Sequence, residues 1–275
     1  MLNIRQISWW NVAAFICAVS GVVAGVLWVF PVSQVQGQLQ ETAPPADFKI
    51  AFIGDGYAQP VYQLIKRQGA SVVIHAGDFD YANSPSKFET RINTELGSSF
   101  PYFGVQGNHD VAQWPGYSGV FGRHLPADAT CTGSYGLDSI CTYKGITFTL
   151  SGWVGDDNAH AQYITNNLPN SNSIWKFCSW HGNMAKMTRG TKGDSVTWSL
   201  YEACRKAGGF VINGHEHQYA RTKSLISYPT QAINPTFPNG NQVAVYPETR
   251  TPGSSFMGLS GLAGASRDGL NSARD

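Results

Sequence analysis

Charge is scarce in this chain. Only 13% of its 275 residues are charged, and 19 Lys and Arg against 18 Asp and Glu leave a formal net charge of +1. That balance lacks the basic footprint a nucleic-acid partner requires. No Cys-x-x-Cys spacing occurs, which argues against zinc ribbons and thioredoxin-type redox chemistry. No Asn-x-Ser/Thr sequon occurs either, so N-linked glycosylation is not expected. Internal repeats and low-complexity segments are absent. Apolar residues (42%), glycine (30) and tryptophan (8) are plentiful. They fit a loop-rich globular chain with a real core better than a disordered or coiled-coil one.

Residues 1–37 form a separate object. Arg5 is the only charged residue before Glu41, and residues 12–30 (VAAFICAVSGVVAGVLWVF) are uncharged throughout. As a helix this run spans about 28 Å, close to the ~30 Å hydrocarbon core of a bilayer. It also exceeds the usual signal-peptide apolar region of roughly 7–15 residues. Three readings follow: a signal peptide cut near Gly37, an uncleaved anchor with its N-terminus inside, or a buried core helix. The first two place residues 48–275 outside the cytosol, secreted or membrane-anchored, after a linker at 38–47 with paired prolines. Membrane association is expected only if 12–30 stays as an anchor.

Cys17 lies in the apolar run, leaving Cys131, Cys141, Cys178 and Cys204. Four cysteines allow three pairings, and four free thiols are the alternative. Cys131–Cys141 would staple a short loop and contribute roughly 3 kcal/mol. Cys178–Cys204 would join a strand to the helix after it.

Apolar runs at 48–53, 71–74 and 102–105 read as strands, each followed by a polar turn, with helical spacing at 59–68 and around 88–96. Residues 146–153, 174–180 and 210–212 read as further strands, and 158–168 and 195–207 as helices. The stretch 113–142 reads as a long Gly-rich loop. Residues 226–251 read as loops around a short strand at 243–246. This alternation predicts an α/β arrangement, with ligands emerging past strand C-termini.

Four glycine-led strings occupy those ends: Gly54-Asp55, Gly77-Asp78-Phe79-Asp80-Tyr81, Gly107-Asn108-His109-Asp110 and Gly214-His215-Glu216-His217. Trp180-His181-Gly182 fits beside them. Carboxylate, amide oxygen and imidazole donors suit first-row metals. Asp78 is the natural carboxylate to bridge two ions. His215 and His217, in an extended segment, project to one side, so each addresses one of two ions about 3.5–4 Å apart. Glu216 then points away. His109 is free to act on a leaving group.

These motifs resemble the metallophosphoesterases, specifically the purple acid phosphatase branch in its compact form. The pattern is Gly-Asp, Gly-Asp-x-x-Tyr, Gly-Asn-His, a lone histidine, then Gly-His-x-His. Its tail continues as His217-Gln218-Tyr219-Ala220-Arg221. The likeness covers roughly residues 49–221. It implies a four-layer α/β/β/α sandwich of two mixed sheets flanked by helices. It also implies two metal ions. Asp55, Asp78, Tyr81 and His217 would hold Fe(III), the Tyr81 phenolate giving a charge-transfer colour. Asp78, Asn108, His181 and His215 would hold Fe(II), Zn(II) or Mn(II). Hydroxide from a metal-bound water, its pKa lowered toward ~7, would attack a phosphate monoester. His109 would assist the leaving group, a role worth roughly 10²–10⁴ in rate. The substrate would be a phosphorylated small molecule or peptide. A phosphodiesterase or pyrophosphatase, and a catalytically silent metal-binding protein, are the alternatives.

The sequence departs from the family at Tyr57, where purple phosphatases usually carry glycine; a pocket wall or packing is the favoured reading. His75 reads as a core or supporting residue, and His124 and His160 as surface residues. Asp110 either orients His109 or a water, or belongs to a solvated turn. Trp114 and Tyr117 read as packing residues, and Tyr219 and Arg221 as support for the histidine strand.

Overall fold

Three apolar runs in the first half become parallel strands because a helix returns the chain after each of the first two. In the computed structural model, which describes residues 42–236 and 253–269, β1 (Ile50–Ile53), β2 (Val72–His75) and β3 (Tyr102–Gly104) form a wholly parallel sheet in that order. Helix α1 (Gln59–Arg67) connects β1 to β2, and α2 (Pro85–Glu95) connects β2 to β3. Both carry proline in the first turn, where the missing N–H costs nothing and the fixed φ favours the helix.

The chain then adds α3 (Trp114–His124), β4 (Thr130–Ser134), β5 (Asp138–Tyr143), β6 (Ile146–Ser151), α4 (Asp157–Asn167), β7 (Trp175–Trp180), α5 (Trp198–Lys206), β8 (Phe210–Asn213) and β9 (Tyr219–Arg221). A small hairpin of β10 (Leu225–Ser227) and β11 (Ala232–Ile233) precedes β12 (Met257–Ser260). The second sheet is mixed, in the order β4-β5-β6-β7-β8-β12-β9. Its centre, β6 to β12, is parallel, and β4, β5 and β9 are antiparallel at the edges.

Strand alternation sorts the side chains into three apolar layers. Val72, Ile74 and Phe103 of the first sheet meet Phe148, Leu150, Phe177 and Ile212 of the second. Val73, on the opposite face of β2, packs under α1, α2 and α3 through Tyr62, Ile65, Phe88 and Phe121. Cys178, Trp180 and Val211, on the far face of the second sheet, pack under α4 and α5 through Ile164, Tyr201 and Cys204. The result is the four-layer α/β/β/α sandwich.

Residues 113–142 are not a loop. They form α3 and the β4–β5 hairpin, whose paired positions Cys131 and Cys141 are disulfide-bonded. Gly116, Gly119 and Gly122 masked a helix whose buried face is Tyr117, Val120, Phe121 and His124. Gly116 is where the helix nears α2: a Cβ there would lie 2.7 Å from Pro85 Cγ. The second disulfide, Cys178–Cys204, joins β7 to α5.

His124 and His160 are buried, at 2% and 3% exposure, rather than at the surface. His124 lies on the core stripe of α3 with Nδ1 toward the Phe100 carbonyl. His160 faces β5, its Nδ1 2.6 Å from Asp138 Oδ1. Part of the segment read as a linker is tied down: the Thr42 amide donates to the Asn172 carbonyl, and the Ile174 amide to that of Thr42. Residues 1–37 and the strand expected at 243–246 lie outside the described residues. Among the described residues no helix is long and apolar enough to cross a membrane.

Candidate metal centre

Every strand that carries a predicted ligand ends at one seam between the two sheets. Asp55 follows β1, Asp78 follows β2 and Asn108 follows β3; His181 follows β7, and His215 and His217 follow β8. Asp55, Asp78 and His181 bring their ligand atoms within 4.8 Å of one another. His181 Nε2 lies 3.2 Å from Asp78 Oδ2 and 3.9 Å from Asp55 Oδ1. His217 Nε2 lies 3.5 Å from Asp55 Oδ1. The Tyr81 hydroxyl lies between them, 3.2 Å from Asp55 Oδ1 and 2.8 Å from His217 Nε2. His215 Nδ1 is 3.3 Å from His181 Nε2. The Asn108 Oδ1 is buried without a hydrogen-bond partner.

The backbone is bent to achieve this. Asp55, Asp78, Tyr81 and His215 take left-handed φ values of 61°, 57°, 50° and 72°. Such conformations cost non-glycine residues on the order of 1–3 kcal/mol each and gather at functional sites. His215 and His217 therefore reach the cluster from a turn, not from the extended segment that spacing suggested. Glu216 does point away: its Oε1 accepts the Lys192 amide at 3.0 Å. Gly77 has φ +89°, and a Cβ there would lie 2.8 Å from His181 Nδ1. A Cβ on Gly107 would strike Asp78 Oδ1, so both glycines permit the close approach of the two loops.

Asp110 neither orients His109 nor lies in a solvated turn. It is 1% exposed. Its Oδ2 accepts the amides of Asp78 at 2.8 Å and Gly107 at 2.7 Å, and its Oδ1 accepts that of Phe79 at 3.0 Å. It clamps the loops after β2 and β3 together. Burial pushes its carboxyl up to about 7, against the pull of the backbone amides. His75 is wholly buried, donates from Nε2 to the Gly56 carbonyl at 2.9 Å, and is held by burial at about 4. Trp114 and Tyr117 pack on Phe79. Tyr57 packs edge-on against Phe88 and also lines a cavity. Tyr219 is exposed on β9, whose pairing with β12 braces the turn that holds the histidines.

Electrostatics ties the cluster together. Burial alone would lower His181, but the Asp78 and Asp55 carboxylates outweigh it and hold the imidazole at about 9. Burial likewise opposes ionisation of Asp78, yet His181 and His109 bring it down to about 2. Burial lowers His215 to about 4, helped by the charges of His181 and Lys192. Burial and then the two carboxylates push the Tyr81 phenol far above its usual range.

Sequence reasoning missed the segment after β12. The Asp268 carboxylate accepts the His217 amide at 2.8 Å and pairs with Lys192 at 3.3 Å. The Ser266 carbonyl accepts from His217 Nδ1 at 2.8 Å, and Lys192 also donates to the His215 carbonyl. The sequence marks Trp153 only as a strand end, yet its ring lies 5.2 Å from His215 and 5.7 Å from His181. No spacing links these residues to the motifs, because they converge only through the fold.

The sequence profile described as calcineurin-like phosphoesterase matches residues 48–219, more than half of the chain. The chain belongs to the calcineurin-like phosphoesterase family. No curated protein sequence matches this phosphoesterase. Among solved structures it is similar to the purple acid phosphatase PPD1 from yellow lupin (Lupinus luteus) seeds, at TM-score 0.55 and 17% identity. That match covers 81% of this chain and 45% of the lupin one, so this phosphoesterase spans under half the length of that relative. PhoD matches at TM-score 0.47 and 13% identity, covering 78% of this chain and 56% of its own. A dimetal phosphatase from Danio rerio matches at 0.44 and 12%, covering 80% and 89%.

The donors of this phosphoesterase fit a metal on the structure's own terms. His181 Nδ1 donates to the Ala76 carbonyl at 2.7 Å, which leaves Nε2 for the carboxylates or a cation. His217 is fixed in the same way by Ser266. The orphaned Asn108 Oδ1 is a buried oxygen in want of a partner.

Proposed function

We propose that this phosphoesterase hydrolyses phosphate monoesters of small molecules or peptides at a two-metal centre outside the cytosol. The observation that carries the reading is the position of Tyr81, its hydroxyl within hydrogen-bond reach of both Asp55 and His217. Asp55, Asp78, Tyr81 and His217 would hold a ferric ion, and Asp78, Asn108, His181 and His215 an Fe(II), Zn(II) or Mn(II) ion. A phenolate is a hard anionic donor, and the Tyr81 phenol beside two carboxylates loses its proton only to a strong cation. When bound, the metals supply Lewis acidity that offsets phosphoryl charge and acidifies water.

The protein's own groups do the rest. The ring hydrogen bonds of His181 and His217 to main-chain carbonyls fix their tautomers and orientation. His109 has a half-exposed side chain, with Nε2 4.0 Å from Asp78 Oδ2 and its ring 4.8 Å from that of Tyr81. From there Nε2 would donate to the departing alkoxide, and His109→Ala should slow esters of poor leaving groups most. The two disulfides support an oxidising compartment.

The test is metal analysis and a visible spectrum of the purified protein, run beside p-nitrophenyl phosphate and bis(p-nitrophenyl) phosphate assays. Iron, a visible band lost in Tyr81→Phe, and turnover of the monoester over the diester are expected. A colourless, iron-free protein overturns the ferric assignment, and diester preference overturns the monoesterase reading.

A further inference from the structure

The three candidate histidine ligands are not held alike. His181 Nδ1 donates to the Ala76 carbonyl at 2.7 Å, and His217 Nδ1 to that of Ser266 at 2.8 Å. Such bonds are the usual way to fix the ring of a metal-binding histidine. The His215 ring has no such anchor among the described residues. Its main chain is fixed at both ends: the amide donates to Asp55 Oδ2 at 2.8 Å, and the carbonyl accepts from Lys192. Its Nδ1 faces His181 Nε2 at 3.3 Å, which makes it the ring nitrogen on the side of the cluster. Two rings hold the imidazole instead. His181 meets it edge-on, with centroids 5.0 Å apart and planes at 71°. Trp153 lies 5.2 Å away at 41°, and also meets His181 at 5.7 Å and 69°. Of the two, Trp153 comes from outside the donor set. It is itself fixed by one residue of the opposite sheet. The Trp153 amide donates to the Gln106 carbonyl at 3.0 Å, and the Val154 amide to Gln106 Oε1 at 3.2 Å. Gln106 is 3% exposed and stands two positions before Asn108. The loops after β3 and β6 are thereby tied together beside Asn108, His181 and His215, all proposed for the second ion. Tyr81 and His217, proposed for the first, pack on each other at 5.8 Å.

We propose that Trp153, set in place by Gln106, is the positioning residue of the second ion. It orients the His215 ring, a task that a hydrogen bond performs for His181 and His217. The inference rests on the two-metal reading. Trp153 supplies no ligand atom and acts through His215, so its loss falls on one ion and spares the other.

The experiment titrates the metal-free protein, disulfides intact, with Zn(II) and reads the affinity of each of two ions. The variants are Trp153→Ala, Trp153→Phe and Gln106→Met, with Asn108→Ala to mark the second ion. Trp153→Ala should weaken the ion that Asn108→Ala weakens by at least about tenfold, as loss of an orienting partner does, and leave the other unchanged. Trp153→Phe keeps a ring and should recover most of the loss. Gln106→Met keeps the indole but frees the Val154 amide, and should weaken the same ion by less. Urea unfolding of the metal-free variants separates loss of binding from loss of fold, and Gln106→Met decides the matter if Trp153→Ala does not fold. Variants that weaken both ions alike, or neither, overturn the inference while the two-metal reading stands, and so does a Trp153→Phe protein no better than Trp153→Ala. A wild type that binds fewer than two Zn(II) ions, or an Asn108→Ala protein that binds both as the wild type does, overturns the ligand assignment and the inference with it.

Discussion

Raising the pH of the metal-free protein from 6.5 to 9 will destabilise it, and His181 is the reason. The imidazole is completely buried, yet Asp78 and Asp55 lift it from 6.5 to about 9. A folded-state pKa above the unfolded one means that the folded protein holds the proton more tightly. That contribution is fully present below about 6.5 and is lost as the pH climbs through about 9. At 1.36 kcal/mol per unit, the change is worth ~3 kcal/mol, a large share of the ~5–15 kcal/mol that hold a domain folded. The same attraction lowers Asp78 to about 2, so it is counted once. His217, raised chiefly by its hydrogen bond to Asp55, acts in the same direction. His75 and His215, held near 4, act in the opposite one, and their contribution is lost as pH falls from 6.5 toward 4. Asp110, raised to about 7 by burial, acts in the same direction at the lower edge of the window, and the rest of it is left to His181 and His217. Urea unfolding of the chelator-treated protein, disulfides intact, should show a midpoint that falls across that window. Adding the metal should flatten the fall, because a cation then replaces the proton. A midpoint that holds or rises from pH 6.5 to 9, or the same fall in His181→Gln, would refute the argument.

Three further outcomes are expected. Asp110→Ala leaves three buried amides without an acceptor and should cost at least ~3 kcal/mol in denaturant unfolding. Asp268→Ala removes the acceptor of the His217 amide and the partner of Lys192; metal titration should show roughly tenfold weaker binding, the lower end for supporting partners. Replacing Cys131 and Cys141 together with serine should cost about 3 kcal/mol by loop entropy, with little change in metal content.

The sequence exposed the parts of this molecule that depend on local order. Gly54-Asp55, Gly77-Asp78 and Gly107-Asn108 each end a parallel strand, so hydrophobic run, glycine and candidate ligand appear consecutively and can be read off. The central strands and flanking helices followed from the same runs. Helix α3 was hidden because its glycines imitate a loop, while its register of Tyr117, Val120, Phe121 and His124 marks a helix only once the core beneath it is known. His124 and His160 could not be placed for the same reason: burial of one histidine depends on the packing of distant strands. Asp110 was visible as a residue but not as a clamp, since its amide partners Asp78 and Phe79 lie about thirty positions away. Ser266 and Asp268 carried no local signal at all.

The two sheets contribute unequal donors. The first supplies carboxylates and an amide, and the second supplies imidazoles; Asp55 and the His215 amide that it accepts are 160 positions apart. During synthesis the acidic half of the chelate therefore exists long before its basic half. An ion that arrived early would meet bare oxygens and water, with no imidazole to select among cations. With the proposed ligands, selectivity would come only after the second sheet has docked, and metal loading would be a late event that reports a finished fold.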